Sequence, residues 1–214
     1  LSNPSVSPVS FTYTLTDATA TAGEDYTAAS GNVMIPAGET AAVIQAEILD
    51  DDLVEIDEVF EVTLSDVTGA IAPNPSGFVA ILDNDVAELS IADVTVDEWA
   101  GAATLNVSMA ARSALPVSFD YQTVDGTASG NRDFLPRSGT VEIVAGETGA
   151  SIAIPIIDDR EVEGAESLTL VLSNVTGAEI TKGTALVTIN DGGPGYDGWA
   201  TEQGLTENAG FSED

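Results

Sequence analysis

The feature that most constrains this chain is that it is written twice. A shift of 108 positions lays 8–70 on 116–178 without a gap, and roughly half of the paired positions are identical. The identities fall in blocks: Pro8-Val9-Ser10-Phe11 with Pro116-Val117-Ser118-Phe119, Ala37-Gly38-Glu39-Thr40 with Ala145-Gly146-Glu147-Thr148, and Val67-Thr68-Gly69-Ala70 with Val175-Thr176-Gly177-Ala178. A register held over that length means two copies of one folding unit, each of ordinary domain size.

Within each copy apolar residues alternate with polar ones, as in Val117/Phe119/Tyr121, Ile152/Ile154/Ile156, Leu168/Leu170/Leu172 and Ala185/Val187/Ile189, the period of half-buried strands. Turn pairs such as Asp125-Gly126, Ser138-Gly139 and Thr176-Gly177 separate the runs, as glycine tolerates the backbone angles that tight turns require. No long amphipathic helix interrupts them. With about seven short strands per complete unit, the fold class is all-β: two tandem immunoglobulin-like antiparallel β-sandwiches. The expected boundaries are 1–85, 86–191 and a tail, 192–214.

The second copy opens with Ala87-Glu88-Leu89-Ser90-Ile91, Val94-Thr95-Val96-Asp97-Glu98 and the run 102–109, whose counterparts in the first would, all but that of Met109, lie before Leu1. The first unit is therefore expected to lack its N-terminal strands and to present an open strand edge. At the join, Asp85-Val86-Ala87, there is no Gly/Ser/Pro-rich spacer, which predicts a stiff connection.

Charge narrows the function. The 36 Asp and Glu outnumber 5 Lys and Arg, for a net charge of −31, which repels phosphate backbones and anionic membranes and excludes nucleic acid and direct membrane insertion. Neither Cys nor His occurs, so thiolate and imidazole catalysis and the usual zinc or copper ligands are out of reach. Carboxylate chemistry and oxygen-ligated cations remain.

Acidity is densest at 48–58, where Asp50, Asp51, Asp52, Glu55, Asp57 and Glu58 crowd together just before the strand-like run Val59-Phe60-Glu61-Val62. Like charges a few ångströms apart repel, so such a loop stays wet, takes up protons or collects a cation. Calcium suits it, taking about six to eight hard oxygen ligands in irregular geometry. A solvated acidic turn is the other reading.

The ordered parts of the chain resemble the Calx-beta family, the β-sandwich modules of sodium–calcium exchanger regulatory regions and of large adhesive proteins. The resemblance rests on Thr123-Val124-Asp125-Gly126-Thr127-Ala128 and Thr16-Asp17-Ala18-Thr19-Ala20, on Asp25-Tyr26 and Asp133-Phe134, on the Gly-Glu-Thr turns, the acidic loop and Asp83-Asn84-Asp85, and it covers nearly all of 1–191. It implies carboxylates clustered at one end of each sandwich. Carried onto the first copy, the ligands are Asp25, Asp50, Asp51, Asp52, the carbonyl of Leu53, Glu55, Glu58, Asp83 and Asp85; on the second they are Glu98, Asp133, Asp158, Asp159, Glu163, Glu166 and Asp191. Arg160 stands opposite Asp52, and Asn190 and Gly192 replace further acids. The second site thus has fewer ligands and a guanidinium able to neutralise carboxylates.

The function implied is a calcium-binding structural or interaction module of an extracellular or cell-surface multidomain protein. Calcium would rigidify the loop end and the interdomain junction, with other protein modules or surface ligands as partners. A calcium-independent spacer or adhesin stalk is the alternative. A paired-carboxylate hydrolase ranks last, because the acids lie in turns with no aromatic-lined cleft, and the chain is read as not an enzyme. Asp17 and Asp125 are read as Asx-turn residues, Trp99 as a partly buried rim residue, and Phe11, Tyr13, Phe119 and Tyr121 as core. The tail opens on Gly192-Gly193-Pro194-Gly195, a linker composition. Beyond it the chain reads as the lead-in to a further calcium-repeat or Calx-beta module, or as a disordered end.

Overall fold

Alternating runs become strands wherever a neighbouring run can complete their hydrogen bonds. The computed structural model describes residues 1–159 and 163–190 and divides into a first unit, Leu1–Asp85, and a second that begins at Val86. The readings placed on Arg160, Asp191 and the tail lie outside the described residues. None of the described helices is long and apolar enough to cross a membrane.

The first unit contains β1 (Val9–Asp17), β2 (Ser30–Ile35), the two-residue β3 (Leu53–Val54), β4 (Glu58–Thr68) and β5 (Ser76–Ile81). Four of them form one antiparallel sheet in the order β2-β1-β4-β5. Leu15, Ala20, Tyr26 and Phe60 form its buried cluster, with the Tyr26 and Phe60 rings stacked at a centroid distance of 4.4 Å.

The second unit contains β6 (Glu88–Ile91), β7 (Val94–Asp97), a 3-10 turn (Glu98–Ala100), β8 (Ala102–Met109), the two-residue β9 (Arg112–Ser113), β10 (Val117–Asp125), β11 (Ser138–Ile143), β12 (Gly149–Pro155), β13 (Glu166–Thr176), β14 (Glu179–Lys182) and β15 (Thr184–Asn190). One sheet runs β11-β10-β13-β15-β7 and the other β12-β8-β6-β14. Their alternating faces supply the core: Ala103, Leu105, Val107 and Met109 from β8, Leu168, Leu170 and Leu172 from β13, Ala185, Val187 and Ile189 from β15.

The duplication is structural in detail. The order β2-β1-β4-β5 recurs 108 residues on as β11-β10-β13-β15, and the irregularity in pairing at Ser10/Thr12 recurs at Ser118/Asp120. Gly38 and Gly146 hold the same left-handed turn, with φ of 87° and 85°, where a side chain would be strained.

The sandwich differs from the purely antiparallel one expected: β7 runs parallel to β15 and β6 parallel to β14. Both pairs join the start of the unit to its end, so neither can be a hairpin. In the first unit β3 lies outside the four-stranded sheet. The stretch 41–47, equivalent to the β12 strand, forms no ladder. Equivalent positions differ in exposure: Val79 is 39% exposed where Val187 is 0%, and Ile48 is 47% exposed where Ile156 is 7%. Of the aromatic residues read as core, Phe119 is fully buried, while Phe11, Tyr13 and Tyr121 are half-buried. Trp99 is exposed rather than a partly buried rim residue, since it sits on the single 3-10 turn after Glu98 with its ring outward.

Candidate metal centre

In the first unit three segments meet. The connection after β1 brings Asp25, because Tyr26 bridges to Ile48, Thr27 N donates to Glu47 O at 2.9 Å and Leu49 N donates to Asp25 O at 2.9 Å. These bonds lay the start of the acidic loop against Asp25. The loop then enters β4, carrying Glu55 and Glu58, and the segment after β5 returns Asp83 and Asp85, since β5 is the antiparallel neighbour of β4.

One concave site is lined by Asp25, Asp50, Asp51, Leu53, Glu55, Glu58, Asp83 and Asp85. Asp52 is exposed and does not line it. Carboxylate oxygens of Asp25, Glu55 and Glu58 all lie within 4.8 Å of one another. Backbone donors hold the surrounding acids: Thr21 N to Asp25 Oδ2 at 2.6 Å, Leu53 N to Asp51 Oδ1 at 2.7 Å, and Glu55 N to Asp83 Oδ2 at 3.0 Å. Asp57, given no role in the sequence reading, accepts from Asp83 N at 3.2 Å.

Such crowding shows in the proton equilibria. Glu58 is pushed up to about 7, first by burial, then by its hydrogen bond with Asp25 and by the charges of Asp25, Glu55 and Glu24. Burial and the negative charges of Asp25, Asp51, Asp83 and Glu24 also raise Glu55. Asp85 is raised by burial, then by Asp83 and the three consecutive aspartates, Asp52 included.

The second unit repeats the arrangement with fewer groups. Phe134 bridges to Ile156 and Ile157 N donates to Asp133 O at 2.9 Å. Asp133, Asp159 and Glu163 place carboxylate oxygens within 4.8 Å of one another, and Glu98, Asp133, Glu163, Gly164 and Glu166 line a small cavity with Ile189. Glu98 is buried, and its Oε1 accepts from Asp159 N at 3.0 Å, so the first turn of the unit anchors the acidic loop. Asp158 is exposed and lines no part of that cavity. Glu166 is raised by burial and by Asp133 and Glu163, an effect that Arg132 opposes.

Arg132 is the residue that sequence reasoning missed. Its Nη2 lies 3.4 Å from Glu163 Oε1 and its Nε 4.0 Å from Asp133 Oδ1. Asp17 and Asp125 do act on local backbone, but five residues on rather than within an Asx turn: they accept from Ala22 N at 2.9 Å and Gly130 N at 3.2 Å. Asp17 also takes the Tyr26 hydroxyl at 2.7 Å.

Each cluster offers only oxygen donors, and three carboxylates so close fit a hard divalent cation, which relieves their repulsion without demanding strict geometry.

The Calx-beta domain family matches twice, over residues 4–93 and 81–193. Sodium/calcium exchanger 1 of Bos taurus is 30% identical over 200 residues, and that of Cavia porcellus 32%; each alignment covers 83% of this chain and 21% of the exchanger. The chain thus spans about a fifth of the length of these relatives. Among solved structures, the calcium binding domain CBD12 of CALX1.1 is similar at 22% identity and a TM-score of 0.42, over 85% of this chain and 87% of that one. On the family matches, which together take in both repeats, the chain belongs to the Calx-beta family and carries two of its domains in tandem.

Proposed function

We propose that this chain is a calcium-binding module in which each unit holds its cation at the acidic end of its sheet. The observation that carries the reading is that three carboxylates converge in each copy, two of them at equivalent positions: Asp25, Glu55 and Glu58 in the first, Asp133, Asp159 and Glu163 in the second, with Asp25 and Asp133 distant in sequence from their partners. In the first unit Asp50, Asp51, Asp83, Asp85 and the Leu53 carbonyl stand as further ligands, and in the second Glu98 and Glu166. The name of the relatives, sodium/calcium exchangers, supports the choice of ion.

The residues' work is neutralisation and ordering. Acids held together by the fold at a cost in repulsion are relieved when a dication is bound, and binding that favours the folded state raises its stability, by about 2.7 kcal/mol at a hundredfold excess over Kd. Asp83 and Asp85 directly precede Val86, so ordering them restrains the chain where the second unit begins. The acids are read as ligands and no reaction is assigned to them. Because the matched relatives are exchangers, the extracellular and adhesive setting expected from the sequence is not carried into the proposal.

Thermal melting of the chain in chelator, in calcium and in magnesium tests this. Calcium should raise the Tm by several degrees and magnesium much less; a Tm indifferent to millimolar calcium would leave the spacer reading in its place.

A further inference from the structure

The two clusters are built on the same backbone. Asp25 N and Asp133 N both donate at 3.0 Å to the carbonyl four residues earlier, Glu24 N and Arg132 N both donate at 3.2 Å to that same carbonyl, and Asp25 Oδ2 and Asp133 Oδ2 both accept at 2.6 Å from an amide four residues back. At one position of this shared turn the side chain reverses its charge: Glu24 in the first unit, Arg132 in the second. Both are exposed, so neither is demanded by the core.

Arg132 reaches Glu163 Oε1 at 3.4 Å and Asp133 Oδ1 at 4.0 Å, two of the three acids whose oxygens converge in the second cluster. Glu24 adds negative charge beside Glu55 and Glu58.

We infer that Arg132 is a tethered counter-cation that competes with a divalent ion for Asp133 and Glu163, giving the second unit a higher calcium threshold than the first, where Glu24 stands in its place. This rests on the calcium reading above. An exposed ion pair contributes little to stability. Its effect on a dication is larger, because the guanidinium repels the incoming charge and occupies oxygens that the ion must take. Arg132 and Glu24 are positioning residues here; neither is assigned as a ligand.

The experiment is calorimetric titration of the whole chain with calcium at fixed ionic strength, with one site silenced at a time. In an Asp25→Asn/Glu58→Gln background, Arg132→Ala should tighten the remaining site by about tenfold, Arg132→Lys should stay near the parent value, and the gain should shrink in high salt. In an Asp133→Asn background, Glu24→Arg should weaken the first site by a similar factor. Circular dichroism confirms folding of each variant, and the reciprocal pair keeps the test intact if one background unfolds. Melting in chelator supplies a readout without metal: Arg132→Ala should lower the calcium-free Tm while tightening calcium. Unchanged or weaker binding by Arg132→Ala, with the parent binding normally, overturns the counter-cation role and leaves the calcium reading standing. Absence of calcium heat in the parent and every variant overturns both.

Discussion

Glu58 makes the charge crowding of the first site measurable without any metal. In the folded unit its pKa is about 7, against the ordinary 4.5, so between those values the folded chain holds a proton that the unfolded chain has released. A raised acid stabilises the fold below its unfolded pKa, and that contribution is lost as pH climbs through the folded value. Unscreened, the shift corresponds to about 3 kcal/mol. The site is half-buried and open to solvent, so screening reduces this to roughly 1 kcal/mol, or about 5 °C in the melting of a unit this size. Thermal melts followed by circular dichroism in chelator, from about pH 5 to pH 8, should therefore show wild type losing stability as pH rises. Glu58→Gln should flatten most of the slope attributable to the first unit, leaving the smaller contributions of Glu55, Asp85 and Glu166, which are raised as well. Saturating calcium should reverse the wild-type trend, since the ion needs the deprotonated acids. A wild-type profile that is flat across this range, or a Glu58→Gln profile as steep as wild type, would refute the reasoning.

Three further outcomes follow from the same geometry. Asp25→Asn removes the carboxylate common to the Glu55 and Glu58 contacts and should weaken first-site calcium binding by about tenfold or more, more than Asp50→Asn in the same titration. Glu98→Ala deletes the acceptor of the Asp159 amide and should speed hydrogen exchange at Asp159 while weakening the second site alone. Phe60→Ala removes the fully buried ring stacked on Tyr26 and should cost about 3 kcal/mol, read as a lower denaturant midpoint for the first unit with the second unchanged.

Much of this organisation was legible in the residues. Identity at a fixed offset meant that the strand order of one copy had to recur in the other, and the Asp25-Tyr26 and Asp133-Phe134 pairs mark where a buried ring pins an acid beside the loop that follows. Strand direction was not legible, because an alternation of period two reads the same in either sense; the parallel edges at β7 and β6 are set by the closing of the unit's start upon its end. Density of charge also said little about aim. Asp52 and Asp158 belong to the acidic runs yet face solvent, and Asp57 spends its carboxylate on the Asp83 amide. Arg132 lies outside the acidic runs, 31 residues before Glu163, so proximity in sequence does not tie it to the cluster. The signal was present all the same, as the one charge reversal between Glu24-Asp25-Tyr26 and Arg132-Asp133-Phe134.

The central claim is that these acids are gathered to hold calcium, and calorimetric titration of wild type beside an Asp25→Asn/Asp133→Asn double variant tests it most directly. Wild type should show saturable calcium binding that magnesium does not reproduce, with the double variant losing most of it while keeping its β-sheet spectrum. A wild type silent to calcium, or a double variant that binds as wild type does, would contradict the account.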